Sequence, residues 1–334
     1  MGANTGYTIF ETFVGAGGSH IGFMRENFRT IYVNDFVKEC LETLIYNNPN
    51  LIEEGAKIDN SSIMDIDPLK LRKELKVEKG QIDVFFGGIV CKGFSLAGER
   101  SPNDERNYFY HKQLELVEEF LPKISIIENV PGLLNAKVLS PKTPLKLKNN
   151  IDNLWKKLEN YKGKKSALRK SDEITEEVIL EGEILRKEKN TLLSILEKNN
   201  YYITVIEDIK KIYDKIGYKV YTKVLNSAWY GAATKRERII IVAVRNDIGF
   251  EFTFPEPLFM DKSIFKMGMP KKYLTLPKPK TVNEALSEIN YSDKDDLDNI
   301  PMSHAEKTVE RFKYIPEGES IADHIESLPK ELKI

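Results

Sequence analysis

The stretch YTIFETFVGAGG, residues 7–18, decides how the chain begins to fold. Its apolar residues predict a short strand, which ends in a cluster of glycines, and a helical stretch follows from Ser19 to Glu26. The next predicted strand, Thr30 to Val33, ends at Asn34 and Asp35. Glycines in such a turn let a ligand approach the backbone, and an acid after the next strand can hold the hydroxyl groups of a ribose. The pattern therefore predicts a site for a nucleoside-containing cofactor.

Two other interpretations of the glycine turn stay open. The pattern suits NAD as well as S-adenosylmethionine, although GAGG is not the full G-x-G-x-x-G of dinucleotide sites, which disfavours NAD. A tight packing turn without any ligand would also explain these glycines.

Strands and helices alternate over the first 135 residues. Further strands are predicted at Ile82–Phe86 and Ile124–Ile127, with helices at Val37–Asn47 and Lys112–Phe120. This alternation predicts an α/β fold with a doubly wound, mostly parallel sheet. Glycines and polar residues fall at the carboxyl ends of the strands, where such sheets bind their ligands.

The composition narrows the class of protein. The chain has 334 residues, of which 41% are hydrophobic and 30% charged, and this excludes a disordered protein. Two cysteines are too few for a disulfide framework, and no apolar run approaches the ~20 residues of a membrane span. We expect a cytoplasmic protein without a membrane anchor. Because the net charge is −1, a polyanionic partner would need a local basic surface.

Such a surface is present between residues 136 and 205. Residues 141–170 carry ten Lys and Arg against two acids, whereas residues 171–190 carry seven acids against three bases. Leucines, isoleucines and charges at helical spacing predict one or two exposed helices. The segment is either a solvated helical insertion or a helical arm whose basic half lies along a nucleic-acid backbone.

Three further positions are candidates for chemistry. Cys91 lies in the polar loop GGIVCKGFS after a predicted strand, which favours a nucleophile over a buried structural cysteine, whereas Cys40 lies in a helix and is expected to be structural. Glu128 follows a buried strand directly, and it is either a working acid or a capping residue. Arg236 and Arg238 stand at the opening of the last predicted strand, Arg238–Val244, and share one of its faces by period two. That pair could grip a phosphate or an active-site carboxylate, or form a solvated strand end.

Taken in order, these segments resemble the cytosine-C5 DNA methyltransferase family over residues 7–245, apart from the insertion. The matching pieces are FVGAGG (13–18), ND (34–35), MDI (64–66), GGIVCKGFS (87–95), GERSPNDERNYFY (98–110), ENVPGLL (128–134) and GYKVYTKVLNSAWYGAATKRERIIIVAV (217–244). A cysteine in GGxxCxGFS followed by ENV is a highly specific combination.

The resemblance implies a Rossmann-like methyltransferase fold, S-adenosylmethionine as methyl donor, no metal, and a cytosine flipped out of double-stranded DNA as acceptor. It implies that the Cys91 thiolate adds to C6 and that Glu128 contacts N3 and N4 of the base. Arg238, with Arg236, would hold the base and Glu128. The remaining roles that it implies are cofactor binding by Phe13, Gly15, Gly17, Gly18, Asp35, Asp65, Ile66 and Gly87, and DNA contacts by Lys92, Ser95 and Arg238.

The sequence also departs from the family pattern. Ile89-Val90 stand where Pro-Pro is usual, and Lys92 and Thr234 replace glutamines. Since Cys91, Glu128 and both arginines are present, we expect the chemistry to remain possible and these changes to affect the rigidity of the loop and its interaction with the flipped base.

The family pattern divides the chain into four parts. They are a core at 1–135, the charged insertion at 136–205, the completion of the core at 206–250, and the start of a small target-recognition region at 251–334. No closing family segments are recognisable before Ile334. We therefore expect the larger subunit of a split enzyme from a restriction-modification system, with a second subunit that supplies the rest. A shortened chain, or an ending that has diverged from the family pattern, would also explain the missing segments. A tRNA cytosine-C5 methyltransferase and a catalytically idle DNA-binding subunit are the alternatives.

Overall fold

The computed structural model describes residues 6–89, 101–103, 109–170, 173–287, 289, 292, 299–300, 302–316 and 318–333. Nine strands lie within these residues: β1 (Thr8–Thr12), β2 (Arg29–Asn34), β3 (Lys57–Asp59), β4 (Val84–Gly87), β5 (Ile124–Asn129), β6 (Lys137–Leu139), β7 (Tyr202–Thr204), β8 (Tyr218–Asn226) and β9 (Glu237–Arg245). The α-helices described are α1 (Gly18–Arg25), α2 (Lys38–Asn47), α3 (Asn50–Glu53), α4 (Pro68–Leu75), α5 (Phe109–Phe120), α6 (Leu145–Lys170), α7 (Glu176–Lys198), α8 (Val205–Lys215), α9 (Val282–Leu286), α10 (Glu306–Phe312) and α11 (Ile321–His324).

Seven of these strands form one sheet in the order β3-β2-β1-β4-β5-β9-β8. The neighbours from β3 to β5 are parallel, whereas β9 is antiparallel to both β5 and β8. From β1 the chain first adds β2 and β3 on one side of the sheet and then adds β4 and β5 on the other side. In open α/β sheets, ligands bind at the point where the order switches in this way, which here lies between β1 and β4. This topology confirms the prediction of a doubly wound, mostly parallel sheet.

The register of the sheet aligns the carboxyl ends of three neighbouring strands, β1, β2 and β4. Thr12 pairs with Asn34 on one side and with Gly87 on the other, so β1, β2 and β4 end together. The segments that follow these strands, including Asp35 and Gly88, therefore leave the sheet at one edge.

Both faces of the sheet are covered by helices. On one face Phe10 stacks on Tyr32 and Phe85, with ring centroids 4.4 and 4.6 Å apart, in a cluster that takes in α4, α5 and α8. On the other face Val33 packs against Leu41 of α2. The sheet is thus buried on both sides, as parallel sheets require.

The amino-terminal edge of the sheet is held by a buried carboxylate. Asp83 accepts hydrogen bonds from the backbone N–H and the hydroxyl of Thr8 at 2.8 and 2.9 Å, and from Lys123 Nζ at 2.6 Å. Burial opposes its ionisation, but the hydrogen bonds from Lys123 and Thr8 outweigh burial and hold the pKa of Asp83 below its usual value. These bonds tie β1 to the starts of β4 and β5.

The charged insertion forms a pair of long helices, α6 and α7, which confirms the prediction of exposed helices there. They enclose their own small core, which includes Leu154, Trp155 and Leu185. At its base β6 pairs antiparallel with β7, and the Val205 N–H donates to the carbonyl of Ala136 at 3.0 Å. The chain therefore leaves the core and returns to it at adjacent points.

Residues 281–334 form a second compact unit. Within this unit α9 spans Val282–Leu286 and begins with a capping box between Thr281 and Glu284. Later in this unit the Arg311 Nε donates to the carbonyl of Leu332 at 2.7 Å. That this part of the chain belongs to a target-recognition region stays a prediction. Among the described residues, no helix is long and apolar enough to cross a membrane.

Candidate active site

The glycine turn after β1 has the backbone that the sequence predicts. Gly15 and Gly17 have φ angles of 56° and 95°, in the left-handed region that favours glycine. Phe13 also has a positive φ, 54°, which is uncommon for a residue with a side chain. The Gly15 N–H donates to Asp35 Oδ2 at 2.8 Å, and the Val37 N–H donates to Asp35 Oδ1 at 2.9 Å. The turn after β1 and the acid after β2 are therefore directly connected.

The glycines of this turn serve different purposes. A Cβ added to Gly15 or Gly18 would meet no atom within 4 Å, so both face open space. A Cβ on Gly17 would instead lie 2.6 Å from Leu44 Cδ1. Gly17 thus permits close packing of α1 on α2, whereas Gly15 and Gly18 leave room for a ligand. With the Asp35 carboxylate beside that space, these residues fit the nucleoside part of S-adenosylmethionine.

The other predicted cofactor residues have more varied surroundings. Asp65 is exposed in a single helical turn, Ile63–Asp65, whereas the side chain of Ile66 is 6% exposed and packs in the main core. A Cβ on Gly87 would lie 2.1 Å from Gln113 Oε1, so the absent side chain of Gly87 makes room for that amide. Ile66 and Gly87 are therefore used in packing, and a cofactor role for them stays a prediction.

The predicted acid and one predicted arginine meet at the carboxyl end of β5. Arg238 Nε lies 2.7 Å from Glu128 Oε1, and the side chains are 24% and 29% exposed. Arg238 also donates from Nη1 to the carbonyl of Glu237 at 2.7 Å, which fixes the guanidinium. The Glu128 carboxylate is thus oriented by a cation but remains accessible.

Arg236 is not brought into this pair. It lies just before β9, its side chain is exposed, and its backbone exchanges hydrogen bonds with Ser227 at 2.9 and 3.2 Å. Among the residues that the structure describes, Glu128 is paired with Arg238 alone.

Gly88 lies between the Glu128 carboxylate and the start of the glycine turn. A Cβ on Gly88 would lie 3.4 Å from the carbonyl oxygen of Phe13 and 3.8 Å from Glu128 Oε2. The structure therefore brings Phe13, Glu128 and Arg238 to one place. Cys91, Lys92 and Ser95 lie outside the described residues. The last described residue before them, Ile89, is 3% exposed and its carbonyl accepts a hydrogen bond from Asn129 Nδ2 at 3.2 Å.

One buried polar group was not predicted. Glu11 in β1 and His20 in α1 are both fully buried, with Glu11 Oε2 2.6 Å from His20 Nδ1. Ser19 donates to the other oxygen of Glu11 at 3.1 Å. These contacts anchor the first turn of α1 on β1 and so fix both ends of the glycine turn. The signal in the sequence is a charged residue, Glu11, inside a buried strand, which is costly unless it is paired.

Comparison with known proteins identifies the family. The model for C-5 cytosine-specific DNA methylases matches residues 7–174 and 193–331. The Type II methyltransferase M.AgeI of Thalassovita gelatinovora is 42% identical over 125 residues, which are 37% of this chain and 28% of that protein. M.Eco47II of Escherichia coli is 24% identical over 335 residues, covering 98% of this chain and 57% of that protein.

The chain is also similar to a solved structure, that of the S. pombe Dnmt2 methyltransferase. The two align with a TM-score of 0.42 and 14% identity, over 74% of this chain and 53% of that chain. The chain spans 62% or less of the length of M.AgeI, M.Eco47II and M.DdeI of Desulfomicrobium norvegicum. Since the family model matches most of the chain, on both sides of residues 175–192, the protein belongs to the C-5 cytosine-specific DNA methylase family.

Proposed function

We propose that the protein is a DNA (cytosine-5-)-methyltransferase of a Type II restriction-modification system. One observation carries the proposal: Arg238 Nε lies 2.7 Å from Glu128 Oε1 and orients it, at the sheet edge where the glycine turn after β1 begins. A carboxylate held in this way can protonate or hydrogen-bond a base placed beside it.

S-adenosylmethionine fits the turn, and its bound form supplies an electrophilic methyl group. Asp35 would hold the ribose hydroxyls, and its two hydrogen bonds, from Gly15 and Val37, keep the carboxylate in place. Gly15 and Gly18 leave the backbone accessible, and the exposed Asp65 lies after β3, next to β2 in the sheet. Membership in the family supports this assignment.

Cytosine C5 is a poor nucleophile, so the chain must activate it. In the proposed reaction the Cys91 thiolate forms a bond to C6 while Glu128, as the acid, gives a proton to N3. Electron density then concentrates at C5, which would take the methyl group as the bond between that group and the sulfonium sulfur of the donor breaks, so that the donor leaves as a neutral thioether. Glu128 next recovers the N3 proton, the C5 proton leaves to solvent, and the C6–sulfur bond breaks. The thiolate and the aromatic ring are both restored.

Arg238 is proposed as the residue that holds Glu128 toward the base. A cytosine within a duplex cannot reach this pair, so it must be flipped out of the stack, at a cost of a few kcal/mol. Protein contacts to the remaining duplex have to supply that energy.

The test is transfer of a labelled methyl group to duplex DNA and, in parallel, to tRNA. We expect incorporation into cytosine of DNA, and no incorporation with Cys91→Ser. Incorporation into tRNA alone would establish the RNA alternative. Duplexes containing 5-fluorocytosine should trap a covalent complex with the intact cysteine, and a chain that forms none would be catalytically idle.

A second subunit remains a prediction. Neither the fold nor the comparisons support it, and it is not part of the proposal. Sequence-specific methylation by the purified chain alone would contradict it.

A further inference from the structure

A cleft between α6 and α7 is unusually rich in cations. Its volume is about 560 Å³, and the residues that line it include Lys162, Lys165, Arg186 and Lys189. Glu183 is the one carboxylate among these lining residues. Four cationic side chains against one carboxylate favour the binding of a ligand with several negative charges.

The cations of this cleft are not all neutralised by the protein. The two helices are joined by an ion pair between Lys164 and Glu181 at 2.8 Å. Lys165 and Arg186, by contrast, form no ion pair within the part of the chain that the structure describes. The Lys165 ammonium lies 5.7 Å from the centre of the Tyr161 ring, an arrangement that leaves its charge available to a ligand.

The shape of the cleft is fixed by close packing of the helices. A Cβ on Gly182 would lie 2.1 Å from the hydroxyl of Tyr161, so α7 approaches α6 closely only because residue 182 is glycine. Arg186 follows Gly182 by one helical turn, and Lys165 follows Tyr161 by one turn. The tight contact therefore places both cations beside the same cleft.

The helical pair begins near the sheet edge that carries the candidate active site. The chain enters this pair soon after Asn129, the last residue of β5, at the sheet edge that carries Glu128. Near the start of α6, Asp152 accepts hydrogen bonds from Asn103 at 3.0 Å, and Asn103 belongs to the segment between Cys91 and α5. About 25 Å of helix then separates the first residue of α6 from Lys162.

We propose that this cleft binds the sugar–phosphate backbone of duplex DNA beyond the flipped cytosine. The choice of duplex DNA as the occupant rests on the proposed function. The contact is with phosphates and not with base edges, so it adds affinity without sequence preference. It supplies part of the binding energy that base flipping requires.

The experiment measures binding of the full chain to a labelled duplex of about 24 base pairs by fluorescence anisotropy, across a salt series. The variant is Lys165→Glu with Arg186→Glu. Lys70→Glu with Lys73→Glu on the exposed side of α4 makes the same change in net charge and serves as the control. The anisotropy measurement does not involve methyl transfer. The binding result can therefore be interpreted even if the proposed reaction fails.

The proposal predicts that the cleft variant binds DNA about tenfold or more weakly at ~0.1 M salt. Its slope of log K against log salt should be smaller by about two, because each lost phosphate contact removes about 0.9. The α4 control should behave as the unaltered chain. Unchanged affinity and slope in the cleft variant would overturn the proposal, as would an equal loss in the control. A larger effect on single-stranded RNA of the same length would assign the cleft to RNA and also overturn it.

Discussion

Glu128 and Arg238 lie on antiparallel neighbouring strands, one diagonal step apart, with Arg238 Nε 2.7 Å from Glu128 Oε1. The register pairs Glu128 with Ile240, so Arg238 is two residues along β9 on the same face. Because β5 and β9 are central strands of one sheet, this geometry is held by the fold and needs no ligand to form.

Replacing Glu128 with Gln should abolish most activity without loss of cofactor binding. The amide keeps the size of the side chain but cannot give a proton to the base, and general acid catalysis contributes roughly 10²–10⁴-fold. Single-turnover methylation measures the rate, and calorimetry measures the dissociation constant of S-adenosylmethionine. A variant that methylates at the original rate would show that Glu128 is not the acid.

Replacing Arg238 should lower kcat much more than replacing Arg236. Arg238→Ala leaves the Glu128 carboxylate without its cation and should lower kcat by about tenfold or more. Arg238→Lys should recover part of that loss. Arg236→Ala removes an exposed side chain with no described contact to Glu128, and its effect on kcat should be smaller than that of Arg238→Ala. Equal losses in the two alanine variants would contradict the pairing.

The difference between these arginines shows what the sequence could not predict. Period two correctly places Arg236 and Arg238 on one face of an ideal strand, but β9 begins at Glu237, after Arg236. Only the register between β5 and β9 decides which arginine reaches Glu128, and register depends on contacts that are distant in sequence. The glycine turn, Asp35 and Glu128 were predictable because each directly follows an apolar run of the sequence.

The same reason explains which elements were missed. β3 consists of Lys57, Ile58 and Asp59, with a single apolar residue, and it becomes a strand by pairing with β2. The short strands β6 and β7 likewise form by pairing with each other, across a long separation in sequence. The sequence carries the signals for the start of α4, since Asp67 caps this helix and Pro68 begins it. The helix was nevertheless not predicted. The buried pair of Glu11 and His20 required knowledge of how α1 packs on β1.

Removing the Asp35 carboxylate should weaken the binding of the cofactor without lowering the stability of the fold. Asp35→Ala removes the acceptor for the Gly15 N–H and the expected ribose contact, and a charged hydrogen bond contributes about 1.5–3 kcal/mol. We expect the dissociation constant of S-adenosylmethionine to rise roughly 10–100-fold in calorimetry. Glu39→Ala, an exposed change on α2, is the control and should leave it unchanged.

Gly87 and Gln113 should be energetically coupled. Gly87→Ala directs a methyl group at the buried amide of Gln113, whose closest atom is 2.1 Å away, and should cost about 1–3 kcal/mol of unfolding free energy. In a Gln113→Ala background the same change should cost nearly nothing. Denaturant melts of the four proteins give the coupling energy. Gly18→Ala, which faces open space, is the control, and independent effects at Gly87 and Gln113 would refute the contact.

Asp83 should make stability sensitive to acid. Its folded pKa lies below the ordinary value, so its stabilising effect is complete above the unfolded pKa of about 3.9 and is lost as the pH falls through the depressed folded pKa. Asp83→Asn should therefore cost about 1–3 kcal/mol at pH 7 and progressively less below about pH 4. The exposed pair of Lys219 and Glu251 provides the control, since Glu251→Gln should change stability much less than Asp83→Asn does at pH 7. A cost for Asp83→Asn that does not vary with pH would exclude ionisation as the cause.

The pairing of β6 with β7 makes the helical pair a removable module. Leu139 faces Tyr202 across the small sheet, so everything between them could be replaced by a short hairpin turn without moving either end. Its apolar side chains are buried mainly among themselves, in a cluster separate from the core of the sheet. A segment with joined ends and its own core can be gained or lost in one genetic event while the catalytic sheet keeps its register.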